Sequence, residues 1–286
     1  MPLQMFKAAP PLASIKSIIA IAAGKGGVGK SSVTVNLALA LKSQGYAVGI
    51  MDTDIYGPSV RKMLPEDRLP SQKGEIIQPA LCAGIKMISM AYFRKEHEAT
   101  AVRAPIANGL ISHFIKNVAW GELDFLLIDF PPGTGDIQLT LAQKANLTGA
   151  IMVTTPQEVA LLDVKKAMYL FDQVKVPILG IVENMSYYIA PNTEDTIYLF
   201  GKGGGERLAR EAGYPFLGQI PVDPLLCACG DKGESLFTLD PEAKLGITRS
   251  FLQLAGQIIS HADALKSQMD STLAHVELIW KEMKPI

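Results

Sequence analysis

The densest run of chemistry-bearing residues is Gly24-Lys25-Gly26-Gly27-Val28-Gly29-Lys30-Ser31, which has the spacing G-x-x-x-x-G-K-S. Glycines in such a loop let backbone N–H groups close around phosphate oxygens, and the helix that follows adds positive potential at its N-terminus. Lys30 then reaches the β- and γ-phosphates and Ser31 ligates Mg²⁺. Acids appear at two further places. Asp52 and Asp54 follow the apolar run 47–51, where one carboxylate supports the Mg²⁺ shell and the other orients an attacking water. Asp129 ends the apolar run 125–128, the position from which an acid holds Mg²⁺ directly or through water. Pro131-Pro132-Gly133-Thr134-Gly135-Asp136 follows at once, and its mixture of glycine and proline fits a loop with discrete positions set by the terminal phosphate.

These groups need a scaffold that brings several strand ends together. Short apolar runs recur at 18–22, 47–51, 85–90, 125–128, 150–154, 178–182 and 216–220, with amphipathic helical segments between them. Runs of this kind predict strands buried on both faces. Val33, Leu37, Ala40 and Leu41 form a helical stripe that stops at Gln44-Gly45, so the first unit is a strand-helix-strand crossover. Repeated crossovers predict an α/β fold, a doubly wound and mostly parallel sheet with helices on both faces, whose binding crevice lies at the carboxyl ends of the strands. Segments 61–80 and 187–206 lack periodicity and read as excursions from the sheet. The chain from about Pro241 reads as helix, with Leu273, Val276, Ile279, Trp280 and Met283 on one side, packed on its own subunit or on a twin.

The 286 residues are 48% hydrophobic and 19% charged, which excludes disorder as the dominant state. Residues 1–14 read as a flexible arm and 15–286 as a single domain. With 27 basic and 28 acidic side chains, no global field draws the protein to nucleic acid or to an anionic membrane. Only Lys281 and Lys284 offset Glu277 and Glu282 in the C-terminal helix, which argues against a membrane-surface helix. Three cysteines, Cys82, Cys227 and Cys229, are too few for a disulfide framework, and a reducing cytoplasm is expected. His97 and His113 lack metal-ligand spacing.

The run GKGGVGKSS, Gly24 to Ser32, resembles the deviant phosphate loop of the MinD/ParA/Mrp group of P-loop ATPases. The resemblance implies that Lys25 acts across a nucleotide-sandwich homodimer, that Asp54 positions the attacking water, and that 131–136 is a switch loop. It also implies that Asn184, with its paired donor and acceptor, reads the adenine edge, and that the 220–224 segment containing Pro221 lines the base. DTDIYGPS (52–59), FPPGTGD (130–136), ENMSYY (183–188) and FGKGGGERLA (200–209) are similar to the Mrp/ApbC branch, ATP-binding iron-sulfur cluster carriers, over about residues 15–259. Gly203–Gly205 reads as a helix-starting loop rather than a second phosphate site.

That branch usually places Cys-Pro-x-Cys after the ENMSY segment, where two chains supply four thiolates to a bridging [4Fe-4S] cluster. Here the sequence is Ala190-Pro191-Asn192-Thr193. Cys227 and Cys229 form a Cys-Ala-Cys pair that offers an alternative source of two thiolates per chain, although it sits beside the base-lining segment. The resemblance therefore implies a homodimeric, slowly hydrolysing MgATPase that delivers clusters to apoproteins or works with assembly factors. Two other classes stay open: an ATP-switched partitioning or positioning protein, and a cluster-free ATP-dependent regulator.

Overall fold

The computed structural model describes residues 12, 14–54, 57, 59–93, 104–191, 193 and 195–282, without the side chains of 104, 266 and 268–282. Nearly all of the 1–14 arm, Asn192, His97 and the C-terminal face from Leu273 to Met283 therefore lie outside the described residues.

The chain opens with β1 (Ile15–Ala22), α1 (Lys30–Ser43), β2 (Val48–Asp52) and the short α2 (Val60–Met63). A small hairpin, β3 (Ser71–Lys73) with β4 (Ile76–Gln78), precedes β5 (Ala80–Cys82) and β6 (Ile85–Ser89). Next come α3 (Ala104–Asn117), β7 (Leu123–Asp129), α4 (Asp136–Lys144), β8 (Gly149–Thr154), α5 (Glu158–Gln173) and β9 (Ile178–Glu183). A second hairpin of β10 (Tyr188–Ile189) and β11 (Thr196–Ile197) leads to α6 (Gly204–Ala212) and β12 (Phe216–Gln219). The chain closes with α7 (Pro224–Lys232), α8 (Leu236–Leu239) and α9 (Gly246–Glu282).

The central sheet has the order β12-β9-β8-β1-β7-β2-β6-β5. All seven apolar runs of the sequence are strands in it, and they pair in parallel. Their alternation sorts side chains into two cores. Ile19, Ile21, Ile50, Leu127 and Val153 face α1 and the proximal part of α9, while Ala20, Met51, Ile128 and Met152 face α3, α4, α5 and α6. Both faces are covered, as a parallel sheet requires.

Within the 61–80 excursion lie α2, the β3–β4 hairpin and the start of β5, an antiparallel edge strand. The edge arises from a two-residue reversal at Ala83-Gly84, both with positive φ (46° and 78°), the geometry of a tight hairpin turn. Cys82, which the sequence alone places in a variable excursion after Pro79, consequently sits in the sheet, fully buried.

α1 is buried well beyond a stripe, with Val35, Ala38 and Leu39 enclosed as well as Val33, Leu37, Ala40 and Leu41. The reason is α9, whose Ile247, Phe251, Leu254, Ala255 and Ile258 cover the face of α1 turned away from the sheet. The phosphate loop is thus anchored through a helix held on all sides.

Candidate functional site

The loop 23–29 leaves the end of β1 and enters α1 at Lys30. Gly29 is the cap residue of that helix at φ 81°, a left-handed conformation in which a side chain is strained. A Cβ there would also stand 2.2 Å from the Asn184 side-chain nitrogen. At Gly24 a Cβ would fall 2.0 Å from the backbone carbon of Asp163 in α5, so that glycine allows the loop to lie directly on a helix. Lys25, Lys30, Ser31, Ser32, Asp54 and Pro132 are among the residues lining a cleft of about 300 Å³ over the loop.

The cleft floor is built by strand ends. Asp52 and Asp129 are register partners at the carboxyl ends of β2 and β7, and both are fully buried. Lys30 Nζ lies 2.8 Å from Asp129 Oδ2, and Ser31 Oγ donates to the same oxygen at 2.6 Å. The other oxygen, Oδ1, accepts from Thr34 Oγ1 at 2.7 Å. Thr34 follows Lys30 by one helical turn, which places its hydroxyl on the same face of α1. The Thr53 hydroxyl donates to the Asp129 carbonyl and ties the two strand ends together. Asp52 accepts from Ser89 Oγ at 2.7 Å and from the Asp54 amide at 3.2 Å. Burial, reinforced by the neighbouring Asp129 carboxylate, raises the Asp52 pKa to about 7.

Asp54 lies just past β2, lines the cleft and accepts from the Gly57 amide at 3.1 Å. The loop 131–136 is strapped in place by Gln138 of α4, whose Nε2 donates to the carbonyls of Pro131 and Pro132 at 2.9 and 2.7 Å. The Gly133 amide donates to Ala23 at the start of the phosphate loop, at 3.3 Å. The proline-rich loop therefore touches the phosphate loop through its backbone.

Asn184 is buried, and its Nδ2 donates to the Val28 carbonyl at 2.8 Å. One of its two amide N–H donors is committed to holding the loop, which leaves the other N–H and Oδ1 as the side-chain groups for recognition. Pro221 lines a separate pocket of about 290 Å³ with Tyr187, Tyr188 and Val222. The two are linked through the chain, because the Ser186 amide donates to Ile220 and the Val222 amide to Tyr187.

Sequence reasoning named the loop and the acids but missed Thr34, Thr53, Ser89 and Gln138. A signal was present only for Thr34, one turn after Lys30 in a helix whose start was recognised. Gly203 caps α6 in a left-handed conformation, so 203–205 is a helix-starting loop as read.

Among the described residues no cluster of three or more His, Cys, Asp or Glu side chains is arranged to hold a metal. The oxygen set of Ser31 and Asp129 suits Mg²⁺, which takes few protein ligands and completes its shell with water and phosphate. Cys227 and Cys229 are not brought together. Residues two apart on a helix point about 200° apart. Accordingly Cys229 is buried in the core while Cys227 is exposed. Cys-Ala-Cys within α7 does not form a two-thiolate claw.

A phosphate loop that opens the helix after a central parallel strand, flanked by acids at adjoining strand ends, defines a P-loop nucleoside triphosphatase. The family can be drawn more narrowly. The model of the NUBPL iron-transfer P-loop NTPase family, of the ParA group, matches residues 14–259, and the chain belongs to that family. A relative from Synechocystis, named iron-sulfur cluster carrier protein, is 46% identical over 85% of this chain and 71% of its own length. One of the same name from Aquifex aeolicus is 43% identical, over 84% of this chain and 66% of its own length. A nucleotide-binding protein from Archaeoglobus fulgidus, solved with ADP, superposes with a TM-score of 0.69 at 42% identity, covering 78% of this chain and 88% of that one. MinD from Pyrococcus horikoshii, solved with Mg-ADP, shares the fold at a TM-score of 0.60 and 23% identity, covering 85% of this chain and 95% of that one.

Proposed function

We propose that this protein is a homodimeric MgATPase, hydrolysing ATP to ADP and phosphate slowly, that serves the assembly or delivery of iron-sulfur clusters to apoproteins. The observation that carries the ATPase reading is the constellation of buried Lys30 and Asp129 with half-buried Ser31 beneath a glycine loop. The cluster role rests on family membership and on the name borne by relatives above 40% identity.

Phosphate oxygens are met by the amides of the 24–32 loop and by the positive end of α1. Lys30 turns from Asp129 to the phosphates, and Lys25 adds charge to the phosphates of a facing subunit. Ser31, with Asp129 behind it, would hold Mg²⁺, which would supply charge neutralisation at the phosphates. Asp54 lies at the cleft wall, where its carboxylate orients a water for in-line attack. Asn184, through Oδ1 and its second amide N–H, and the Pro221 segment take the base. The continuous sheet supports one ATPase domain over 15–286, with its C-terminal helices. Near-zero net charge favours protein partners over nucleic acid or membrane, and no described helix is long and apolar enough to cross a membrane. Three free thiols fit a cytoplasmic site of action.

Phosphate release from MgATP tests the reading. Wild type is expected to turn over, and Lys30→Ala to fall by about a hundredfold or more. Undiminished activity in Lys30→Ala overturns it.

A further inference from the structure

A cluster carrier needs thiolates, four for a [4Fe-4S] centre in its usual ligation. This chain has three cysteines in all. Cys82 is fully buried in the edge strand β5, and burial pushes its thiol up to about 12. Cys229 is 3% exposed inside the core beneath α7, where burial likewise raises its pKa. Only Cys227 is exposed.

Two copies of the chain therefore present two accessible thiols, half of what one such cluster requires. Among the described residues other donors do not complete the set. The turn between β10 and β11 carries Ala190, Pro191 and Thr193, and Asn192 adds no sulfur. His113 lies in α3, paired with Asn117, and the His261 ring is bonded to the Gln257 carbonyl of its own helix. No metal-holding group of His, Cys, Asp or Glu occurs among the described residues.

Bringing Cys229 to the surface would turn α7 by roughly half a rotation. That rotation would expose Leu225 and Leu226, which pack against the core, and would break the cap in which Asp223 accepts from both of their amides.

We infer that this chain does not itself contain the cluster: it acts as the ATP-hydrolysing partner of a protein whose own thiolates hold the iron and sulfide. The inference rests on the iron-sulfur reading above and narrows it from container to driver. Its partner is then a protein with its own cysteine ligand set, and ATP-dependent contact with that protein replaces cluster storage in this one.

The test treats the purified full chain anaerobically with ferrous iron and sulfide, removes unbound ions, and counts both per chain beside ATP hydrolysis on the same sample. Cys227→Ser is carried in parallel. Hydrolysis with fewer than about 0.5 iron per chain, alike in both proteins, is the expected result. About two irons and two sulfides per chain, the content of one [4Fe-4S] per dimer, would overturn the inference whether or not Cys227→Ser loses them. Absent hydrolysis would overturn the ATPase reading instead, and the iron count would still decide whether the chain holds a cluster.

Discussion

Asp129 is held from both sides: Ser31 and Lys30 share one oxygen and Thr34 takes the other. In the proposed mechanism Lys30 moves to phosphate and Ser31 to Mg²⁺, and the Thr34 bond to Oδ1 would then fix the carboxylate rotamer, making Thr34 a positioning residue for Mg²⁺. Thr34→Val, nearly isosteric, is expected to weaken Mg²⁺-dependent nucleotide binding by about tenfold while binding in EDTA is unchanged. Thr34→Ser should restore it. Equal losses with and without Mg²⁺ would reduce Thr34 to a packing role.

Asp52 carries the opposite sign of effect. Its pKa is raised from 3.8 to about 7, so between those values the native state binds more protons than the unfolded chain. Its ionisation therefore costs stability increasingly as pH rises through that window, and the cost is complete above about pH 7. Nucleotide-free Asp52→Asn should be more stable than wild type by about 1–3 kcal/mol at pH 8, with the gain shrinking toward pH 5. Denaturant unfolding at the two pH values measures this, and a pH-independent difference would count against it. At this scale the contiguous glycine loop and the strand-end acids were legible because the chemistry sits within one short stretch each. Thr53, Ser89 and Gln138 were not, since their contacts exist only after distant segments have folded together.

At the scale of elements, the end of β9 joins the site to the rest of the molecule. Glu183, fully buried, accepts from Ser186 Oγ and the Gly205 amide, both at 2.5 Å, and from Gln219 at 3.3 Å. Its neighbour Asn184 holds the phosphate loop. One dipeptide thus ties α1's entry loop to α6, to β12 and to the start of the β10–β11 hairpin. Glu183→Ala leaves three donors unpaired and should cost about 2–4 kcal/mol. Hydrogen exchange is expected to rise first at 186–206, and a uniform rise across the sheet would contradict this localisation. The seven parallel strands were legible from apolar runs because burial on both faces leaves no polar alternation. The β3–β4 hairpin and edge strand β5 were not, because strands of three residues are set by the turns and neighbours that frame them.

At the scale of the whole molecule, the sheet order and its crevice follow from repeated crossovers, and the family match agrees with them. The way α1 is enclosed was not legible, because it depends on a helix more than 200 residues later in the chain. The cluster chemistry turns on cysteine placement: the sequence offers 227 and 229 as an alternative thiolate pair, beside the base-lining segment, and helix geometry separates them. In the proposed dimer two copies share one catalytic site, with Lys25 acting on the facing subunit's nucleotide and Asp54 on its own. Lys25→Ala and Asp54→Ala should each be nearly inactive. A mixed dimer of the two contains one site with its own Asp54 and its partner's intact Lys25. An equimolar mixture, after subunit exchange, should therefore recover up to about a quarter of wild-type phosphate release. A mixture no more active than its separate components would contradict the shared site.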